Sequence, residues 1–101
     1  MDKGITKIID SYIQYLIKEQ IKFEKAYLFG SYAKSKETIY SDIDIALVFK
    51  NVNILDRFDL QVQLLTLASE IDNRIEPHPI NSDDLIMKIH SLTRLLKQEK
   101  K

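Results

Sequence analysis

The chain has 101 residues, 45% hydrophobic and 30% charged, and its fifteen basic and fifteen acidic side chains cancel. That length predicts a single domain over residues 1–101, with one core and no separate lobe for a large acceptor. Balanced charge argues against a non-specific nucleic-acid binder, the lack of cysteine excludes disulfides and thiolate metal sites, and no apolar run is long enough for a leader peptide or a membrane span, so a cytoplasmic protein is expected.

Ile5, Ile8, Ile9, Tyr12 and Leu16 recur at helical spacing and predict a helix over residues 4–21. Lys25 to Phe29, a short apolar run closed by Gly30, reads as a buried strand. Residues 31–41 read as a polar loop carrying Lys34, Ser35 and Lys36. Asp42 to Phe49 is the clearest strand: Ile43, Ile45, Leu47 and Phe49 share one face, and Asp42, Asp44, Ala46 and Val48 the other. Leu55, Phe58, Val62 and Leu65 mark an amphipathic helix running to about Ile71, with Asn53 as its N-cap. Arg74 to Pro79 predicts a third strand. Its prolines, Pro77 and Pro79, have no N–H for a ladder, which puts it at an edge or makes it very short. Leu85, Ile89, Leu92 and Leu96 predict a final helix from near Ser82, fraying toward Lys101. The order α-β-loop-β-α-β-α describes an α/β fold, a small sheet covered by helices.

Three features carry chemistry. Gly30-Ser31 follows directly on the first strand, Asp42 and Asp44 share a face of the second, and Glu76 lies on the third. Side chains two apart on a strand leave one face, with backbones roughly 7 Å apart, so the two carboxylates can lean toward a common point. Like charges so placed repel unless a cation neutralises them. Hard oxygen donors suit Mg²⁺, and a third carboxylate from an adjacent strand fits a site for in-line displacement at phosphorus. A glycine at a strand end permits a sharp turn and close backbone approach, and the amides and hydroxyl that follow can donate to phosphate oxygens.

Each feature has a plainer reading. Gly-Ser alone is a turn, Asp-x-Asp alone is a solvated strand face, and Glu76 could pair with Arg74. Asp42 and Asp44, however, share their face with Ala46 and Val48, and carboxylates at the rim of an apolar face are less ordinary. Lys34 and Lys36 read as a solvated loop face, His78 as a strand-end residue and His90 as a helix-surface one rather than as ligands.

Leu28-Phe29-Gly30-Ser31-Tyr32-Ala33, followed by Ser41-Asp42-Ile43-Asp44-Ile45-Ala46, resembles the signature of the minimal nucleotidyltransferases of the DNA polymerase beta superfamily, MntA-like antitoxins included. In that family Gly-Ser precedes Asp-x-Asp by ten residues, as here with Tyr32 to Ser41 between them. The resemblance implies a small mixed sheet covered by helices, the nucleotidyltransferase fold. It implies that Gly30 and Ser31 hold the triphosphate of ATP, that Asp42 and Asp44 bind Mg²⁺, and that Glu76 is the third carboxylate, a metal ligand or the acceptor of a proton. Ser35 stands where many relatives carry glycine and makes the loop less permissive.

Relatives of this size resemble the antitoxin half of two-component HEPN–MNT modules, in which the small enzyme transfers AMP to a tyrosine of an all-helical HEPN toxin. The expected function is therefore AMP transfer to a protein hydroxyl of such a partner. A small-molecule acceptor and a catalytically inactive partner-binding module are the alternatives. A homodimer is permitted by edge strands and exposed helix faces.

Overall fold

The computed structural model describes residues 3–30, 42–50, 52–82 and 94–98. The first helix, α1 (Lys3–Lys18), turns Ile5, Ile9, Tyr12, Ile13 and Leu16 inward, the stripe expected from a 3.6-residue period. It stops at Lys18 rather than at residue 21. Gln20 takes a left-handed conformation with φ of 62°, its N–H donates to the Ile17 carbonyl at 3.0 Å, and the Ile21 N–H donates to the Leu16 carbonyl at 2.9 Å. This pair of bonds is a Schellman cap. It hides from a sequence reading because glutamine, not glycine, occupies the left-handed position.

Four strands follow in the sheet order β3-β2-β1-β4: β1 (Lys25–Phe29), β2 (Ile43–Phe49), β3 (Ile75–Asn81) and β4 (Arg94–Gln98). β1 is antiparallel to both β2 and β4, whereas β2 and β3 are parallel. The sheet is therefore mixed, and the parallel pair is joined by the helix α2 (Ile54–Ser69), as a parallel connection requires. Ile43, Ile45, Leu47 and Phe49 of β2 enter the core with Ala26, Leu28 and Ile75 and with α1 and α2 residues. Tyr12 sits in the seam between the helices, where its hydroxyl donates to the Leu64 carbonyl at 2.9 Å. Ala46 and Val48, on the Asp44 face, are buried too, so β2 is covered on both sides.

The final helix expected from near Ser82 is not what the described residues show: 94–98 form β4, with Leu96 packed against the core. Residues 83–93 lie outside the described part. Arg94 to Gln98 is built from good helix formers, but β1 has a second edge whose backbone groups need partners. Pairing there, from Leu28↔Arg94 to Lys25↔Gln98, overrides local preference.

α2 departs from expectation in its orientation. Asn53 caps it as expected, its Oδ1 accepting from the Asp56 N–H at 2.9 Å. Yet the stripe by which the sequence announces the helix faces outward: Leu55 is 81% exposed, Phe58 71%, Val62 50% and Leu65 49%. The inward face is instead Leu64 and Ala68, supported by Leu60 and Leu67.

β3 occupies the sheet edge that its prolines demanded, although it runs two residues farther than expected, to Asn81. The Ile43 N–H donates to the Arg74 carbonyl at 2.7 Å. Alternation then points the backbone groups of Glu76, His78 and Ile80 toward β2 and those of Pro77 and Pro79 outward. The two outward carbonyls are capped from α2: Gln61 Nε2 donates to Pro77 at 2.8 Å and Arg57 Nη2 to Pro79 at 3.2 Å.

Candidate active site

Two register relations assemble the site. Across the antiparallel β1–β2 pair Phe29 lies opposite Asp44, and across the parallel β2–β3 pair Asp44 lies opposite Glu76 and Ala46 opposite His78. Residues in register, and those two apart on one strand, share a face. Asp44, Glu76 and His78 consequently project from one side of the sheet, and each offers a donor atom within 4.8 Å of the others. Entry to β3 is held by Asp72, whose Oδ1 accepts the Arg74 N–H at 2.8 Å while its carboxylate receives Nε and Nη2 of the Arg74 side chain, each at 3.1 Å. The Arg74 guanidinium thereby holds the Asp72 carboxyl below its usual range.

Gly30 ends β1 with φ of 74°, a conformation that suits glycine. A β-carbon there would overlap Oδ2 of Asp44, so the backbone of the turn rests directly on the carboxylate. The other oxygen, Oδ1, lies 3.2 Å from His78 Nε2. The imidazole is steadied by Phe29, with ring centroids 5.0 Å apart at 66°, an edge-on contact. Asp44 is thus placed from both ends, by glycine backbone and by histidine. Glu76 is exposed, while Asp44 and His78 are partly buried. An open cleft of about 350 Å³ runs from His78 and Phe29 past Pro79 and Ile80 to Arg57 and Gln61 of α2.

Asp44 and Glu76 therefore meet as the sequence suggested, and Gly30 adjoins Asp44. Asp42 precedes β2 and is exposed; it does not belong to the three-residue group with Asp44, Glu76 and His78, the one such group among the described residues. Ser31, Lys34, Ser35, Lys36 and His90 lie outside the described residues. His78 is the residue that sequence reasoning passed over. It is not a strand-end residue but the middle of β3, and the signal was present: it has the same parity as Glu76, so any strand carrying one on the site face carries both.

Residues 11–101 match the family described as polymerase beta, nucleotidyltransferase. The chain belongs to this family. Its fold is similar to that of a Sulfolobus solfataricus protein assigned as a nucleotidyltransferase, with a TM-score of 0.74 and 21% identity over 94% of this chain and 81% of that one. It also resembles a chain of a toxin–antitoxin complex with AMP-PNP (25% identity, TM-score 0.58, 90% of this chain and 73% of that one). A third similar structure is tri-AMPylated Shewanella oneidensis HEPN toxin in complex with MNT antitoxin (22% identity, TM-score 0.56, 93% and 72%). No curated protein matches the chain in sequence. None of the helices among the described residues is long and apolar enough to cross a membrane. For a nucleotidyltransferase, two carboxylates and an imidazole so close together are a donor set that fits a divalent cation.

Proposed function

We propose that the chain is a Mg²⁺-dependent adenylyltransferase that moves AMP from ATP to a hydroxyl of a HEPN-type helical partner, acting as the partner's antitoxin. The observation that carries this reading is the contact of the Gly30 turn with the Asp44 carboxylate, opposite Glu76. It joins a backbone suited to phosphate to a carboxylate suited to a cation. Support for the acceptor comes from the similar toxin–antitoxin structures, one with AMP-PNP and one with a tri-AMPylated HEPN toxin.

In this reading Gly30 and Ser31 hold the triphosphate, and Asp42, Asp44 and Glu76, joined by His78, hold the cation. The bound cation would offset charge on the α-phosphate and on the departing pyrophosphate. The acceptor oxygen attacks the α-phosphorus in line. The bond from that phosphorus to the bridging oxygen of the β-phosphate breaks, pyrophosphate leaves, and the hydroxyl proton passes to Glu76, the exposed member of the group. Most of the acceleration rests on positioning, because the attacking oxygen and the phosphorus must be held in line.

The test uses ATP labelled at the α-phosphate and a HEPN-type helical protein. The wild-type chain should label the partner, and Asp44→Asn and Asp42→Asn should each reduce the rate by about a hundredfold or more while circular dichroism stays unchanged. Full labelling by both variants rejects the metal assignment.

A further inference from the structure

Leu55, Phe58, Val62 and Leu65 recur on α2 at spacings of three and four, a single stripe along the helix. All four are large, apolar and about half or more exposed. Together they present roughly 400 Å² of apolar surface, at the scale where exposed patches on soluble proteins mark interaction sites. The helix needs none of them for its own core, which it reaches through Leu64 and Ala68.

The two flanks of the stripe differ. By the helical repeat, Arg57 and Gln61 border it on the side toward β3, where they cap the carbonyls of Pro79 and Pro77. Both also line the cleft that leads to His78. The opposite flank carries Asp56, Asp59 and, at the C-cap, Glu70, with no basic residue in the last turn. The stripe is thus continuous with the candidate active site on one side and acidic on the other.

We propose that this stripe is the docking surface of the acceptor protein, which presents to it an apolar helix face flanked by lysine or arginine. From the adenylyltransferase reading this takes only the partner's role as acceptor. An acidic border favours a basic counterpart. It also disfavours an antiparallel pairing of α2 with a second copy of this chain, which would set Asp56 and Asp59 of one against Glu70 of the other. Arg57 and Gln61 lie between the stripe and the cleft that leads to His78, so an acceptor docked on the stripe reaches the cleft across these two side chains.

The probe is a labelled 21-residue amphipathic helical peptide with leucine at heptad positions a and d and lysine on both flanks, with a glutamate-flanked version as control. Fluorescence anisotropy should show the full chain binding the lysine peptide at least about tenfold more tightly than the control. Phe58→Asp and Leu55→Asp, both at exposed positions, should each lose at least about tenfold in affinity with an unchanged melting temperature. Asp44→Asn should bind the peptide like wild type although it fails to transfer AMP, which separates docking from chemistry. Equal binding of both peptides, undiminished binding by both stripe variants, or no binding by wild type would overturn the docking surface. So would a wild-type dimer in sedimentation velocity that Phe58→Asp converts to monomer. Retained AMP transfer by Asp44→Asn would instead overturn the catalytic reading and leave the surface standing.

Discussion

Gly30 and Asp44 are in backbone-to-carboxylate contact: the α-carbon of the glycine lies so close to Oδ2 of the aspartate that a β-carbon would overlap it. The turn's φ of 74° compounds this, because L-residues with side chains enter that region at a cost. Gly30→Ala should therefore do two separable things. Strain should lower stability by about 1–2 kcal/mol in a urea melt. Displacement of the Asp44 carboxylate should lower AMP transfer by about tenfold to a hundredfold, since small misplacements are amplified in an oriented reaction. A variant of normal activity would show that the turn does not set the position of Asp44.

His78 adds a nitrogen donor to a set otherwise made of oxygen. Nitrogen ligands favour Mn²⁺ and later transition ions more than they favour Mg²⁺. His78→Gln should weaken Mn²⁺ binding, read by electron paramagnetic resonance, by about tenfold, with a smaller change for Mg²⁺. Equal losses for both ions would assign the histidine to positioning Asp44 rather than to ligation.

The Tyr12 hydroxyl is buried and donates across the helix seam to the Leu64 carbonyl. Tyr12→Phe removes the bond and should cost about 1 kcal/mol, which corresponds to a fall of roughly 4–8 °C in melting temperature for a domain this size. The phenol also predicts the alkaline limb. Burial raises its pKa above the ordinary value of 10.0, so from pH 10 upward the unfolded chain loses a proton that the folded chain keeps. The contribution of Tyr12 is complete below pH 10 and declines as pH rises toward the raised value. Stability of the wild type should fall more steeply above pH 10 than that of the phenylalanine variant.

At the end of α1, Gln20 holds a left-handed conformation that glycine adopts without penalty. Gln20→Gly should stabilise the chain by about 0.5–1 kcal/mol, the left-handed strain relieved minus the added freedom of the unfolded glycine. Chemical denaturation with an unchanged slope would report it.

What could be read in advance followed residues whose meaning is local. The α1 stripe, the β1 run closed by Gly30, the Asn53 cap and the edge position of a strand with two prolines all depend on period, turn chemistry or a missing N–H. Asp44 and Glu76 could be paired because parity places each on one face of its strand. Residues whose meaning is set by distant neighbours were misread. Arg94 to Gln98 becomes a strand because β1 offers an edge, which nothing within those five residues announces. Leu55, Phe58, Val62 and Leu65 form the most conspicuous apolar pattern on α2 and yet face away from the sheet, since periodicity identifies a stripe without saying what covers it. His78 was set aside as a strand-end residue because its importance arises from the register that sets β3 against β2.

The outward prolines of β3 bear on how this molecule can associate at all. Pro77 and Pro79 remove two donors from the free margin of the sheet, and Gln61 and Arg57 occupy the matching acceptors. A strand from another molecule would find no ladder to extend there, so templated growth into fibrils is blocked along that margin. Contacts made on this side must be read through side-chain shape and charge, which makes them selective and reversible in a way that shared backbone pairing is not.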